Sequence, residues 1–218
     1  MATRPAGLRE RKKQATREAL REAALRLALE QGPDNVRVED IAEAAGVSPR
    51  TYNNYFSSRE QAIVAAITTE REARVEAAVA ARPPEVRLAD AVIDAIVTQY
   101  TDPGEIPREA LTLITAHPSL REAFLRASSA ISKPLANAIA DRLGAFDGPT
   151  APVLAASVAA AVRVALEQWL QPAGVAPATA GLVVVSGSLP DMLRAALAPL
   201  VPALDAAENR PSQHPRHQ

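Results

Sequence analysis

An all-helical fold follows from three features of this sequence. Apolar residues recur at spacings of three and four, no stretch alternates apolar with polar residues as a half-buried strand would, and alanine and leucine dominate while aromatics are only 3% of residues. The 218 residues suffice for one large or two small domains with a substantial core. Cysteine is absent, which removes disulfides, thiolate chemistry and Cys-ligated metals. The amino-terminal stretch is polar and basic without an apolar signal core. The longest apolar stretch, around 153–162, reads as too short to span a bilayer, so no membrane partner is expected and the cytoplasm is the expected location.

Residues 1–15 read as a flexible basic arm. The first long helix starts at Lys12 or Thr16, runs to Gln31 with Leu20, Ala24, Leu27 and Ala28 facing inward, and ends at Gly32-Pro33. Eight basic residues stand against three acidic ones in the first 26 positions, although the whole chain carries only -1. Positive charge is thus gathered at one end of the chain. Thr16 and Arg17, at the expected helix start where free N–H groups and the positive dipole end lie, are candidate phosphate contacts.

Residues 38–56 carry the local signature of a helix-turn-helix. Val38, Ile41, Ala42 and Ala45 give a first short helix one apolar face, while Glu39, Asp40 and Glu43 stay solvated. Gly46 can take the left-handed conformation just past a helix end, Ser48 can cap the next helix, and Pro49 suits its first position. In the second helix Arg50, Thr51, Asn53, Asn54 and Tyr55 crowd a polar surface, and only Tyr52 and Phe56 look inward. Such a surface suits a major groove, where Arg pairs with guanine, Asn with adenine, and Thr or Tyr with phosphates. A solvated surface helix is the alternative.

A long helix follows over 58–81, with the capping-box spacing Ser57 to Glu60 at its start, a stripe of Ile63, Val64, Ile67, Val75 and Val79, and Pro83-Pro84 at its end. Further helices are expected over 86–100, 107–116 and 119–143, the last kinked or divided by Pro134. The final pair, over 152–170 and 179–200, has small residues along its apolar faces, Ala156, Ala160 and Val164 in the first and Ser186-Gly187-Ser188 in the second. The end of the chain, rich in Pro, Gln and His, reads as a disordered tail.

No phosphate loop, metal-spaced His cluster or nucleophile elbow is present, so no catalytic residue, metal or cofactor is expected and an enzyme is disfavoured. Arg163 and Glu167 interrupt an apolar helix at a spacing of four; they either pair at its rim or serve a ligand. Tyr100, His117, Phe124, Arg163, Glu167 and Trp169 are the polar and aromatic candidates for a pocket.

Residues 16–65 resemble the DNA-binding head of the TetR family of bacterial transcription regulators. The resemblance is carried by Ala23-Ala24, Gly32, Val38-Glu39-Asp40-Ile41-Ala42, Ala44-Ala45-Gly46-Val47-Ser48, Thr51, Tyr55-Phe56 and Ser58-Arg59-Glu60, in order and spacing. It implies an all-α protein with a three-helix head at 16–62, a helical ligand-binding and dimerisation domain at 63–200 and a tail at 201–218. Arg50, Asn53 and Asn54 fall where the family reads bases, and Thr51, Tyr55 and Arg59 where it bonds phosphate. Arg37 stands in place of the usual Ser or Thr cap and becomes a further phosphate candidate. Ala28 replaces a usual Phe and Tyr52 a usual Leu or Phe, so Tyr52 is expected to fill part of the volume missing at Ala28.

The resemblance also makes the last two helices a dimer's four-helix bundle, with Ala156, Ala160, Val164, Leu182, Val185, Leu189, Met192 and Leu193 as interface candidates and intramolecular core as the alternative. AHPSLREAFL and ALEQWL are similar to the subgroup that includes the acyl-CoA-binding mycofactocin regulator. The implied function is a homodimeric repressor on double-stranded operator DNA, associated with the nucleoid when bound and released by a small apolar or acyl-type effector. The rivals are a constitutive DNA-binding protein, and a helical carrier or enzyme whose first helices only resemble a reading head.

Overall fold

The computed structural model describes residues 6–102, 108–144, 148–170 and 188–209. Eleven α-helices are present among these residues: α1 (Ala6–Gln31), α2 (Val38–Ala44), α3 (Pro49–Asn53), α4 (Arg59–Ala80), α5 (Leu88–Thr101), α6 (Arg108–Ala116), α7 (Pro118–Ala127), α8 (Ser132–Leu143), α9 (Thr150–Trp169), α10 (Leu189–Leu197) and α11 (Val201–Glu208). The chain divides into two compact units, one of Met1–Thr69 with Glu105–Ala127, the other of Glu70–Gly104 with Ser128–Gln218. The sequence did not foresee that α6 and α7 belong to the unit that contains the reading head.

In the first unit α1 packs on α2 and on α6, α2 packs on α3, and α6 packs on α7. Leu20, Ala24, Ala28, Ile41, Ala42, Tyr52, Phe56 and Ile63 form the buried core of the head. Ala28 and Tyr52 are both fully buried. The flexible arm expected over 1–15 is corrected from residue 6 onward, because α1 is already helical at Ala6. Its Ala, Leu, Arg, Glu, Lys and Gln are strong helix formers and need no tertiary support to extend a helix already nucleated on the core.

In the second unit α8 packs on α9, α9 on α10, and α5 on both α10 and α11. The expected 119–143 helix is two helices, broken by a 3-10 turn at Ser128–Ile131. Pro134 therefore lies in the first turn of α8, where the missing N–H costs nothing, instead of inside a helix. The tail expected from 201 is likewise corrected: α11 runs to Glu208 and buries Leu204 and Ala207.

α11 is held by charge. Its Glu208 accepts the backbone N–H of Leu88 at 2.9 Å, and its Asp205 takes the Arg87 guanidinium at 3.1 Å. Arg87 at the start of α5 makes no side-chain cap, so a carboxylate from 120 residues away supplies one. Nearby, Arg142 of α8 donates to the carbonyls of Arg82 at 3.2 Å, Pro84 at 3.4 Å and Val86, and pairs with Glu208 at 3.9 Å. One half-buried fork thus fastens the Pro83-Pro84 turn to two helices.

α9 has two apolar sides. Ala151, Leu154, Ala155, Val158, Ala159, Val162, Ala165 and Leu166 are buried, whereas Val153, Ala156, Ala160 and Val164 are exposed. By length and composition this helix is apolar enough to cross a membrane, which corrects the expectation that no stretch is. Packing against α8 and α10 accounts for that apolarity on its buried side.

Candidate nucleic-acid interface

The turn between α2 and α3 is built by its own backbone. Gly46 has φ 68°, and the N–H groups of Gly46 and Val47 donate to Glu43 and Ala42 carbonyls, each at 2.9 Å. This is the paired closure that ends a helix on a left-handed residue, so an L side chain at position 46 is strained even though space is open there. Ser48 Oγ accepts the Thr51 N–H at 3.2 Å and lies 3.0 Å from Thr51 Oγ1, with Pro49 at the first helical position.

Tyr52 and Phe56 anchor α3. Both are buried, their ring centroids are 5.8 Å apart, and the Tyr52 hydroxyl donates to the Ser58 carbonyl at 2.8 Å. The anchoring leaves Arg50, Asn53 and Asn54 exposed on one short segment, with Thr51 and Tyr55 half-buried beside them. Arg17 on α1 lies with its guanidinium 5.6 Å from the Phe56 ring centroid. The base-reading candidates lie on one segment whose Phe56 meets one phosphate candidate, Arg17.

Other phosphate candidates have different surroundings from those expected. Thr16 is inside α1, not at its start, and its hydroxyl donates to the Lys12 carbonyl at 2.9 Å, so the argument from free helix-start donors does not apply to it. Arg37 is exposed at the cap of α2, where its guanidinium has no oxygen to offer; Asp40 supplies half a box by accepting the Arg37 N–H at 3.1 Å.

Arg59 is turned into the head. It donates to the carbonyls of Asp34 at 2.9 Å and Val36 at 3.0 Å and pairs with Glu60 at 2.8 Å and Asp34 at 3.6 Å. These bonds tie the connection before α2 to the start of α4 and engage Nε and Nη1, while Nη2 has only the 3.6 Å contact with Asp34. Burial pushes the Glu60 carboxyl up, but bonds from Arg59, its own backbone and Ser58 outweigh that and hold it below its ordinary value. The expected box from Ser57 to Glu60 is shifted by one residue. Ser58 Oγ accepts the Gln61 N–H at 3.2 Å, while Gln61 Oε1 accepts the Ser57 N–H at 2.7 Å.

The six pocket candidates are divided between the units, His117 and Phe124 in the first and Tyr100, Arg163, Glu167 and Trp169 in the second. His117 stands 3.6 Å from Asp34, beside the carboxylate that also meets Arg59. Arg163 and Glu167 pair at 2.7 Å on the solvent side of α9, the rim pairing that was one of their two expected roles, and Trp169 is exposed. Only Tyr100 and Phe124 are buried.

Sequence reasoning missed Arg71, which is buried with its guanidinium 4.5 Å from the Tyr100 ring centroid. Burial pushes its guanidinium below the ordinary value. The signal was present, because Arg71 occupies the same fourfold-spaced row as Ile67, Val75 and Val79.

Of the interface candidates, Ala156, Ala160 and Val164 are exposed and Leu189 and Met192 partly so, while Leu193 is 0% exposed and belongs to the protomer's own core. α10 turns Leu193 and Leu197 inward at a spacing of four, which decides its register. Leu182 and Val185 lie outside the described residues.

Residues 20–66 match the model of the family described as bacterial regulatory proteins, tetR family, and residues 82–205 match that of the MftR C-terminal domain. The chain is 33% identical over 174 residues to the HTH-type transcriptional regulator TcmR of Streptomyces glaucescens, covering 75% of this chain and 76% of that protein. It is 41% identical over 76 residues to the HTH-type transcriptional regulator BetI of Rhizobium meliloti (strain 1021), covering 33% and 37%. A solved TetR-family transcriptional regulator from Streptomyces coelicolor aligns over 93% of this chain and 92% of that one, with a TM-score of 0.45 at 16% identity.

Proposed function

Because the chain belongs to the TetR family of bacterial regulatory proteins, and so is a DNA-binding transcriptional regulator and not an enzyme, we propose that it acts in the cytoplasm as a homodimeric repressor. Two heads bind a palindromic operator whose half-sites lie roughly one to one and a half turns apart, at about ten base pairs per turn. A small acyl-type or apolar effector in the carboxy-terminal domain releases it by binding one head orientation better than the other.

The observation that carries the reading is the outward display of Arg50, Asn53 and Asn54 by a helix pinned through Tyr52 and Phe56. Arg50 and the two asparagines read base edges, while Thr51, Tyr55, Arg17 and Arg37 bond the backbone. Arg59 positions the head from within. The deciding experiment is selection of bound sequences from random DNA, followed by tests of which acyl compounds release them. Asn54→Ala should lose about 1–3 kcal/mol of discrimination at one base pair. Tyr55→Phe should weaken selected and random duplexes alike; an equal loss on both duplexes from Asn54→Ala, or a loss confined to the selected duplex from Tyr55→Phe, would overturn the assignment.

The exposed apolar row on α9 supports the dimer, with Val153 58% and Val164 48% exposed. A row of this kind is suited to a close helix contact with a second copy. Val164→Arg should yield a monomer by analytical ultracentrifugation and lose operator affinity by more than about tenfold, since two linked heads bind far better than one. A dimer that survives this change would place the interface elsewhere.

A further inference from the structure

We propose that the amino-terminal extension of α1 is a second DNA-binding surface, a basic helical arm that lies on the phosphate backbone of the duplex flanking each half-site. The proposal rests on the operator-binding reading above and extends it beyond the head. The family match begins at residue 20, so the segment concerned lies ahead of the matched head.

Placement comes from Arg17. Its guanidinium over the Phe56 ring sets α1, at that residue, beside the carboxy-terminal end of the reading segment. From there the helix runs back to Ala6, a further ~16 Å at 1.5 Å per residue. Residues 7–15 are all exposed. They carry Arg9, Arg11, Lys12 and Lys13 against Glu10 alone. Arg9 and Lys13 recur at a spacing of four ahead of Arg17, so all three share one flank of the helix, the flank that reaches Phe56. Arg11 and Lys12 lie off that flank and raise the local potential around it.

Charge identifies the occupant. The first turn of α1 holds Arg9 and no acidic residue, so Arg9 meets the positive end of the helix uncompensated, and Arg11, Lys12 and Lys13 in the next turn repel it and one another. A polyanion beside them turns this repulsion into attraction and releases counterions. A lipid surface would need an apolar face, and Leu8 is the sole large apolar side chain of residues 7–15. A single strand would need aromatic platforms, and this segment has none. Duplex DNA continuous with the operator is the polyanion already beside Arg17.

The test compares the full chain with a quadruple variant, Arg9→Gln, Arg11→Gln, Lys12→Gln and Lys13→Gln, which keeps helix propensity and leaves Arg17 in place. Each is titrated at ~50–200 mM salt onto two duplexes bearing the selected operator. One has flanks, about four duplex turns in all, and one is trimmed to about two. On the flanked duplex the variant should bind at least ~10-fold more weakly, with its log K against log salt slope shallower by about 2–4 per head. On the trimmed duplex the two proteins should agree within about twofold. Identical slopes on the flanked duplex, or equal losses on both duplexes, would overturn the proposal. Asn54→Ala in the same assay keeps the two readings apart: failure of that variant to lose preference for operator over random duplex condemns the reading-head assignment, whatever the arm does.

Discussion

Tyr52→Ala is expected to cost the first unit about 3–5 kcal/mol, the range for deleting a buried aromatic ring, and to abolish operator binding with it. The ring is fully buried, touches Phe56 and, through its hydroxyl on the Ser58 carbonyl, pins the end of α3 to the start of α4. Urea unfolding followed by circular dichroism measures the loss. Tyr52→Phe keeps the ring and should cost only about 1 kcal/mol for the missing hydrogen bond. A cost below about 1 kcal/mol for the alanine variant would mean that the ring does not organise the head.

The same residue carries a pH signature. Burial first, and then the nearby Glu60 charge, push the Tyr52 phenol well above its ordinary value of 10.0. The folded state therefore favours the protonated phenol. Its contribution is complete below pH 10 and is lost as pH rises from there through the folded value. Stability should fall on this alkaline limb, and Tyr52→Phe should flatten the fall relative to its own stability near neutrality. Parallel limbs in the two proteins would reject the assignment.

Arg142→Ala should have the next largest effect, about 2–4 kcal/mol in the second unit, because three backbone carbonyls and Glu208 lose a charged donor at once. Arg142→Lys should recover little, since a single ammonium cannot meet carbonyls at Arg82, Pro84 and Val86 in the way a planar fork does. Thermal unfolding of the three proteins checks this. Full recovery by lysine would show that charge alone matters at this position.

The parts of the head legible in the sequence are those whose causes are local. Gly46 ends α2 because its own φ allows the closing bonds to Glu43 and Ala42. Ser48 and Pro49 begin α3 through an oxygen three residues from its donor and a ring that sets its own torsion. The exposure of Arg50, Asn53 and Asn54 followed from the same short-range pattern once Tyr52 and Phe56 were taken as inward. Arg59 was not legible, because whether a guanidinium faces a phosphate or the carbonyls of Asp34 and Val36 depends on a segment 23–25 residues away. Arg71 was overlooked within a row whose apolar members were read correctly; its burial depends on the Tyr100 ring that lies beside it.

The sequence by itself determined α2, α3, the turn between them and the residue types displayed on α3, since caps, a left-handed glycine and apolar spacing act within a few residues of their cause. Tertiary structure alone decided which apolar surfaces are used. α9 has apolar residues on two sides, and only packing against α8 and α10 selects Leu154 and Val158 for the core while leaving Val153 and Val164 outside. It also decided that Leu193 is core and that Glu208 caps α5. Burial and a cap over 120 residues depend on which surfaces meet, and that is a property of the assembled helices and not of any stretch of chain.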